Sequence, residues 1–382
     1  MKVHVTREQV SRLAWMFVLC GVWFLIGWFA RGWLMGSEVI LVEQARQVLL
    51  SEEPGEMPTS RELTHAAIRG MLERTDDSYA ALFEPDISRR YADDLAGQSG
   101  ITGLVAAGHN GELVVGWVMP GGSADRAGLR VDDTILSVDG VEIDDSTTEL
   151  EASLLIRGPL DVPAHFVVKR GGQVLEFDVM RQERPVVSTQ MLEGGIAYLA
   201  QHVFTENAPQ KTRAALQDLL AQKPTALILD LRGNSGGSMD ATQAVLSDFI
   251  KDGLLFTAEL KGGQRRPFQA QGEGLATDVP LVVLIDGSTY SSAETAAAAL
   301  KERGRGILIG SATYGKGMIQ TTVSLSEDHM LHFSIAKWLS PDGHWYEKIG
   351  VAPDIVAKDD SSTEDDEVLQ FAVNYVREMW AP

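Results

Sequence analysis

The stretch PLVVLIDGSTYSSAETAAAAL, residues 280–300, decides the fold of this chain. Its first half is a continuous apolar run, typical of a buried strand, and its second half, AETAAAAL, favours a helix. Ser291 stands between them, at a strand-to-helix turn beside a helix N-terminus. Two further apolar runs follow the same plan: ALILDLR ends in the glycine-rich GNSGGS, and GILIG precedes TYGKGMIQ. Alternating strands and helices of this kind predict an α/β layered domain with a mixed sheet from residue 186 onward.

A serine and a lysine are placed where nucleophilic catalysis needs them. Ser291 lies 25 residues before Lys316, and Lys316 follows the GILIG strand in a turn flanked by glycines. A serine hydroxyl attacks a carbonyl only if a base takes its proton, and burial can lower a lysine pKa enough to make the neutral amine available. Gln320 lies four residues on in the strand-like MIQTTVSL, so even spacing predicts Lys316 and Gln320 on one face. Its amide would orient the amine without adding charge.

The same chemistry needs donors for the oxyanion that develops on the attacked carbonyl. The glycines after the strand ALILD let the backbone approach a substrate closely. The N–H groups of Gly237 and Ser292 are therefore the candidate oxyanion hole, and a single such donor is worth roughly 3–4 kcal/mol.

Four motifs in order, DLRGNSGG, GSTYSSAE, TYGKGMIQ and EKIGVAPDIVA, resemble those of the carboxyl-terminal processing proteases. These are the tail-specific Ser-Lys peptidases of the S41 family, and the resemblance covers most of the chain beyond about residue 70. It implies a core of the ClpP/crotonase-like type that works without a cofactor or metal. It also implies roles: Ser291 is the nucleophile, three residues before Glu294, and Lys316 is the base, assisted by Gln320. The oxyanion donors of the family match Gly237 and Ser292.

Two other serines remain alternatives. The family usually alternates serine and alanine before the glutamate, whereas this chain has SSA, so a slip by one residue would make Ser292 the nucleophile. Ser235 satisfies a G-x-S-x-G nucleophile-elbow pattern after a strand. That pattern needs a downstream histidine, and the histidines after it are His329, His332 and His344. His332 is more simply interpreted as a strand residue.

Residues 97–185 predict a small β-rich module of five short strand-like stretches separated by Gly, Asp and Pro. Within it, GGSADRAGLRVDDTILSVDGVEI resembles a PDZ domain of the bacterial protease type. In that fold a peptide adds as a strand beside a carboxylate-binding loop. The resemblance places this loop at Ile101, Thr102, Gly103 and Leu104. The alternative is a β-module that serves only as a spacer.

An apolar segment near the N-terminus predicts a membrane anchor. Residues 13–30 are uncharged and would span about 27 Å as a helix, nearly the hydrocarbon thickness. A cleavable signal peptide would have a shorter, less bulky apolar region and an A-x-A-like site, and a buried soluble helix is the other alternative. Lys2, Arg7 and Arg12 precede the segment and an acidic stretch follows it, so the N-terminus is expected in the cytoplasm and the remainder outside.

The composition excludes several function classes. A net charge of −20 argues against nucleic-acid binding, and the single cysteine, Cys20, permits no intramolecular disulfide. No metal-ligand spacing such as H-E-x-x-H or C-x-x-C occurs. Helices are expected at 37–50, 61–74, 123–128, 146–156, 210–222, 240–251, 292–303 and near the C-terminus. The expected architecture is α+β and multidomain: 1–36 anchor, 37–96 helical region, 97–185 PDZ-like domain, 186–357 peptidase core, and 358–382 acidic stretch and helix.

The function expected from these features is a membrane-anchored serine endopeptidase that recognises protein C-terminal tails and cleaves through an acyl-enzyme. Two alternatives come from other classes. A non-catalytic PDZ scaffold would not need Ser291, Lys316 and Gln320 together. An acyl-thioester enzyme of the crotonase type would need neither a peptide-binding module nor an anchor. The oligomeric state and the physiological substrate do not follow from the sequence.

Overall fold

The computed structural model describes residues 37–53, 55, 57–109, 112–119, 121–144, 147–272, 274–358 and 365–380. The chain divides between Thr75 and Asp76 into two compact units. The predicted anchor, residues 13–30, lies outside the described residues. Among the helices of the described ranges, none has the length and apolar character needed to cross a bilayer.

The described residues of the first unit form two helices, both predicted from the sequence. They are α1 (Ser37–Glu52) and α2 (Ser60–Leu72). A capping box starts α2: the Glu62 N–H donates to Thr59 Oγ1 at 3.2 Å, and the Thr59 N–H donates to Glu62 Oε2 at 2.6 Å. This reciprocal pair satisfies two N–H groups that have no partner within the helix.

The second unit begins with a short strand and a helix, followed by the β-rich module. The elements are β1 (Ala81–Phe83), α3 (Pro85–Ala96), β2 (Ser99–Ile101), β3 (Leu104–His109), β4 (Glu112–Val118), α4 (Ser123–Ala127), β5 (Thr134–Val138), β6 (Val141–Glu142), α5 (Glu149–Ile156), β7 (Gly158–Pro159), β8 (Pro163–Arg170), β9 (Gln173–Met180) and β10 (Gln182–Glu183). The main sheet of the module has the order β3-β4-β5-β8-β9, with β6 beside β5. Its core contains Val115, Ile135 and Phe166, all fully or almost fully buried.

The remaining elements build the α/β core. They are β11 (Val187–Leu192), β12 (Ile196–Gln201), α6 (Ala208–Leu220), β13 (Ala226–Asp230), α7 (Met239–Leu246), β14 (Leu254–Leu260), β15 (Arg265–Gln269), β16 (Leu281–Ile285), α8 (Ser292–Glu302), β17 (Ile307–Gly310), β18 (Met318–Ser324), β19 (Met330–Leu339), β20 (Ile355–Val356) and α9 (Glu367–Trp380). One sheet has the order β11-β12-β13-β16-β17-β20, and only β11 is antiparallel to its neighbour. The predicted mixed sheet is confirmed.

Both faces of this sheet are covered, because alternate residues of each central strand join different cores. On β16, Leu281, Val283 and Ile285 pack with α6, α7 and α8. Val282 and Leu284 face the other way and pack with α9. A strand buried on both faces is continuously apolar, which explains why LVVLI shows no alternation.

A second, antiparallel sheet has the order β1-β19-β14-β15, with β18 also paired to β19. The sequence MLHFSIA begins β19, which belongs to this second sheet and not to the α/β sheet. The helix predicted at 240–251 is shorter than expected: α7 ends at Leu246, where the Ser247 hydroxyl donates to the Gln243 carbonyl at 2.7 Å.

Three turns of the core follow the carboxyl ends of adjacent parallel strands. They are residues 231–238 after β13, 286–291 after β16 and 311–317 after β17. Because parallel strands present their carboxyl ends at one edge of the sheet, these turns meet there, the usual location of a site in such a fold.

Candidate active site

Ser291 occupies a constrained position at the start of α8. Its φ is 57° and its ψ is −121°, a conformation that residues other than glycine rarely adopt. The preceding residue is held in place, because the Tyr290 N–H donates to the Asn234 carbonyl at 2.9 Å. Ser291 also lines a cavity of about 370 Å³. The turn therefore presents its hydroxyl at the cavity wall instead of burying it in the helix.

Lys316 lies in the turn after β17 and is 9% exposed. Its Nζ lies 4.5 Å from the centre of the Tyr79 ring and 4.8 Å from that of Tyr290. Burial lowers the pKa of Lys316 to about 8, and the nearby carboxylates, Glu347 first, oppose this shift. The group therefore loses its proton much more readily than an exposed lysine.

The glycines around Lys316 permit a close approach of two backbone segments. A Cβ on Gly315, whose φ is 99°, would lie 2.9 Å from the Ile349 nitrogen. A Cβ on Gly317 would contact Trp345 Nε1. The sequence GKG is thus explained by packing of the turn against the 345–350 segment.

Glu294 joins the serine turn to the lysine turn. It is fully buried, and each carboxylate oxygen accepts two hydrogen bonds. Oε2 accepts from the N–H groups of Ser291 (2.9 Å) and Lys316 (2.8 Å). Oε1 accepts from Thr313 Oγ1 and the Gly315 N–H, both at 2.6 Å. Burial raises the pKa of Glu294 even though these donors favour the charged form.

The predicted oxyanion donors lie on two segments in close contact. A Cβ on Gly236 would lie 2.9 Å from the Ser292 nitrogen and 2.8 Å from the Tyr290 oxygen. Gly237 has a φ of 141°, and a Cβ there would contact the Phe204 carbonyl oxygen. Within the described part of the chain, neither the Gly237 N–H nor the Ser292 N–H donates a hydrogen bond. Both groups are thus available to a ligand.

Gln320 faces the same cavity, but the spacing argument that paired it with Lys316 is wrong. Strand β18 begins at Met318, so Lys316 precedes it, and a register shift between Ile319 and Gln320 interrupts the alternation of faces. Gln320 Nε2 donates to Ser334 Oγ at 3.2 Å. In the described residues no hydrogen bond joins Ser291 Oγ, Lys316 Nζ and Gln320 to one another.

The two alternative serines have different surroundings. Ser235 Oγ accepts a hydrogen bond from Arg184 Nη2 at 3.0 Å. Ser292 is 1% exposed, and its hydroxyl has no hydrogen-bond partner among the residues that the structure describes. Neither residue lines the cavity that Ser291 reaches. Of the three histidines after Ser235, His332 is a strand residue, as expected; it is buried against the Phe83 ring at 5.2 Å, and burial lowers its pKa to about 4.

The cavity wall beside Ser291 combines apolar and polar side chains. The apolar ones include Ala258, Leu260, Phe268, Met318, Ile335 and Ala336. The charged residues Glu206, Asp240 and Arg266 and the polar residues Ser238, Gln320 and Thr321 also line it.

The predicted carboxylate loop runs from Ile101, the last residue of β2, to Leu104, the first residue of β3. Among the described strands, β3 is an edge strand of its sheet and pairs there with β4 alone. The loop is anchored through two carbonyls: Thr102 O accepts from the Ala124 N–H and Gly103 O from the Met119 N–H. A turn at Gly103, with a φ of 79°, separates β2 from β3.

One side-chain cluster of the described residues has metal-ligand composition: Glu302, Asp342 and His344. Hydrogen bonds within the cluster explain why these three residues lie together. The Glu302 carboxylate is hydrogen-bonded to His344 Nδ1 at 3.0 Å and accepts from the Asp342 N–H at 2.8 Å. It lies on α8 and the loop after β19, and none of its three members lines the cavity.

Comparison with known proteins identifies two domains in this chain. Residues 195–357 match the peptidase family S41, and residues 114–170 match a PDZ domain. The carboxy-terminal processing protease CtpA of Bacillus subtilis is 30% identical over 300 residues, which are 78% of this chain and 64% of that protein. The carboxyl-terminal-processing protease of Synechocystis is 30% identical over 309 residues, 78% of this chain and 72% of that one.

Among solved structures, the photosystem II D1 C-terminal processing protease superposes with a TM-score of 0.64 at 28% identity, covering 85% of this chain and 89% of that chain. The chain spans slightly less than two thirds of the length of the Bacillus subtilis relative. The S41 core, the PDZ domain and these similarities together show that the chain belongs to the carboxy-terminal processing protease family of serine peptidases.

Proposed function

We propose that this protein is a membrane-anchored serine endopeptidase that binds protein C-terminal tails through its PDZ domain and cleaves peptide bonds with a Ser291–Lys316 dyad. The observation that carries the proposal is the Glu294 carboxylate, which binds the N–H groups of both dyad residues within one buried site. Family membership supports the reaction class.

In the proposed mechanism, neutral Lys316 takes the proton of Ser291 as the hydroxyl oxygen attacks the scissile carbonyl. The N–H groups of Gly237 and Ser292 stabilise the resulting oxyanion. Lys316 then gives the proton to the leaving amine, and an acyl-enzyme forms on Ser291. Water activated by the same amine releases the acyl group. Because Lys316 Nζ now contacts two tyrosine rings, the first step requires the amine to move to hydrogen-bond distance of Ser291 Oγ.

The oxyanion assignment has its own test. Gly237→Ala adds a Cβ in contact with the Phe204 carbonyl and so displaces the donor. We expect kcat to fall about 100- to 1,000-fold, the usual cost of one lost donor. An unchanged kcat would remove Gly237 from the mechanism.

The dyad itself is tested by comparing two serine variants. Full-length protein in detergent should cleave a peptide with a free C-terminus, and Ser291→Ala should abolish that cleavage. Ser235→Ala is the matched control, since it removes only the hydrogen bond from Arg184. It should retain most of the activity, and the opposite ranking would contradict the dyad.

The proposed anchor is the apolar segment at residues 13–30, which is preceded by three basic residues, Lys2, Arg7 and Arg12. This charge bias places the catalytic domain outside the cytoplasmic membrane. Protease added to intact spheroplasts should therefore digest the domain, and carbonate washing should leave the chain in the membrane. Digestion only after lysis would contradict the orientation.

A further inference from the structure

A segment far from the catalytic motifs in sequence reaches the base. Strand β1 pairs with β19, with Ala81 opposite His332 and Phe83 opposite Met330. The residues just before β1 therefore run alongside the continuation of β19. Asp77 and Tyr79 lie in this stretch, and the Tyr79 ring contacts Lys316 Nζ at 4.5 Å.

Asp77 is bound to Ser334 through both carboxylate oxygens. Oδ2 accepts from the Ser334 N–H at 2.6 Å, and Oδ1 accepts from the Ser334 hydroxyl at 2.9 Å. Oδ1 also accepts from the Tyr79 N–H at 3.1 Å. Two bonds to one residue fix both the backbone and the rotamer of Ser334 relative to the carboxylate.

The direction of these bonds determines the orientation of Gln320. A carboxylate only accepts, so the Ser334 hydroxyl must give its proton to Asp77. Its oxygen then has only lone pairs for Gln320, and the amide must present Nε2 to it, as observed at 3.2 Å. The Gln320 carbonyl oxygen is consequently left as the acceptor for another donor.

We propose that Asp77 is a positioning residue for catalysis: through Ser334 it holds the Gln320 amide with its carbonyl oxygen available to the Lys316 amine. An amine that donates to this oxygen directs its lone pair elsewhere, as a general base for Ser291 requires. This inference rests on the proposed peptidase function.

Asp77 also contributes charge near Lys316. The groups that face the amine are the carboxylates of Glu347, Asp77 and Glu294, the rings of Tyr79 and Tyr290, and the imidazole of His332. The Asp77 carboxylate raises the pKa of Lys316 against the effect of burial. Removing that charge should therefore move the pH midpoint of kcat to lower pH.

The test uses Asp77→Asn in the full-length enzyme. The side-chain amide introduced at position 77 can donate to Ser334 Oγ. The Ser334 hydroxyl is then free to donate to Gln320, so the Gln320 amide turns over and presents its carbonyl oxygen to Ser334. We expect kcat at each variant's optimal pH to fall about tenfold or more, the lower bound for a hydrogen bond to a charged group. KM for the peptide should change less than twofold. Asp76→Asn, an exposed neighbour, is the control and should match wild type.

A double variant separates positioning from general damage. Gln320→Glu has two equivalent carboxylate oxygens and therefore no amide orientation to lose. Adding Asp77→Asn in that background frees the Ser334 hydroxyl to donate to either oxygen, so the second substitution should cost less than twofold. Equal losses in both backgrounds, or an Asp77→Asn kcat within twofold of wild type, would overturn the inference.

If Asp77→Asn does not fold, Ser334→Ala removes the link alone and should lower kcat in the same direction. A wild-type kcat in Ser334→Ala would overturn the inference. Failure of the proposed function would give a different result. The wild-type protein would then cleave no peptide, or Ser291→Ala would cleave as fast as the wild type.

Discussion

At the scale of single residues, the surroundings of Lys316 define how the reaction depends on pH. Burial lowers its pKa to about 8, and only the neutral amine can accept the serine proton. The neutral fraction grows as pH rises toward 8, so kcat should increase about tenfold per pH unit below the midpoint and level off above it. Steady-state kinetics from pH 5.5 to 9.5 measure this profile; a kcat independent of pH would contradict the assignment.

Lys316→Arg tests the same assignment of the base by substitution. It conserves the positive charge, but a guanidinium stays protonated throughout this range. The variant should therefore be inactive at every pH while melting near the wild-type temperature. Retained activity would exclude Lys316 as the base.

The sequence alone identified some of the candidate site residues and missed others. Ser291 and Lys316 stand in motifs that are readable because each follows an apolar strand, and the structure brings their turns together through Glu294. Asp77 lies 257 residues from Ser334, and their contact depends on the pairing of β1 with β19. No local pattern encodes such a pairing. The acidic pair at Asp76 and Asp77 was the only available signal.

At the scale of elements, one carboxylate fixes the start of α8 against the turn after β17. Glu294→Gln would replace one acceptor oxygen by an NH₂ group that faces two buried donors. An unsatisfied buried group costs about 1–3 kcal/mol, so the melting temperature should fall by several degrees. The kcat should fall at least tenfold, because the two turns lose their common anchor.

Glu193→Gln provides the control, since the Glu193 side chain is 95% exposed. Its unfolding free energy should lie within about 0.5 kcal/mol of wild type in a urea titration. A Glu294→Gln protein as stable and active as this control would show that the shared carboxylate does not organise the site.

Most of the described helices were predicted, some of them from a recognisable start such as the capping box at Thr59 and Glu62, but α3 was not. The division of strands between two sheets was not predicted. Strand β19 is apolar enough for either sheet. Its partner β18 is the preceding strand, but its partners β1 and β14 come from distant parts of the chain. Sheet membership therefore depends on tertiary packing, which outweighs local pattern.

At the scale of the whole molecule, the proposed tail recognition and the proposed chemistry lie in different parts of the chain. A peptide is proposed to pair with the edge of β3, beside the loop at residues 101–104. Amidating the C-terminus of a good substrate removes the charge that this loop is proposed to bind. Turnover should fall roughly ten- to a hundredfold, the value of a hydrogen bond to a charged group.

The chain beginning at Ser37 should show the same preference in solution, because the proposed anchor contributes location and no chemistry. Competition between free-acid and amidated versions of one peptide measures the ratio directly. Equal cleavage of the two peptides would contradict tail recognition by the PDZ domain and leave only the proposal of a Ser-Lys peptidase.

The central claim is that Ser291 is a nucleophile activated by Lys316. Labelling with a fluorophosphonate probe, followed by digestion and mass spectrometry, tests it most directly, because the probe reacts only with an activated serine. The label should appear on Ser291 in wild-type protein and be absent in Lys316→Arg. A label on Ser292 or Ser235, or none on a folded wild-type chain, would contradict the account.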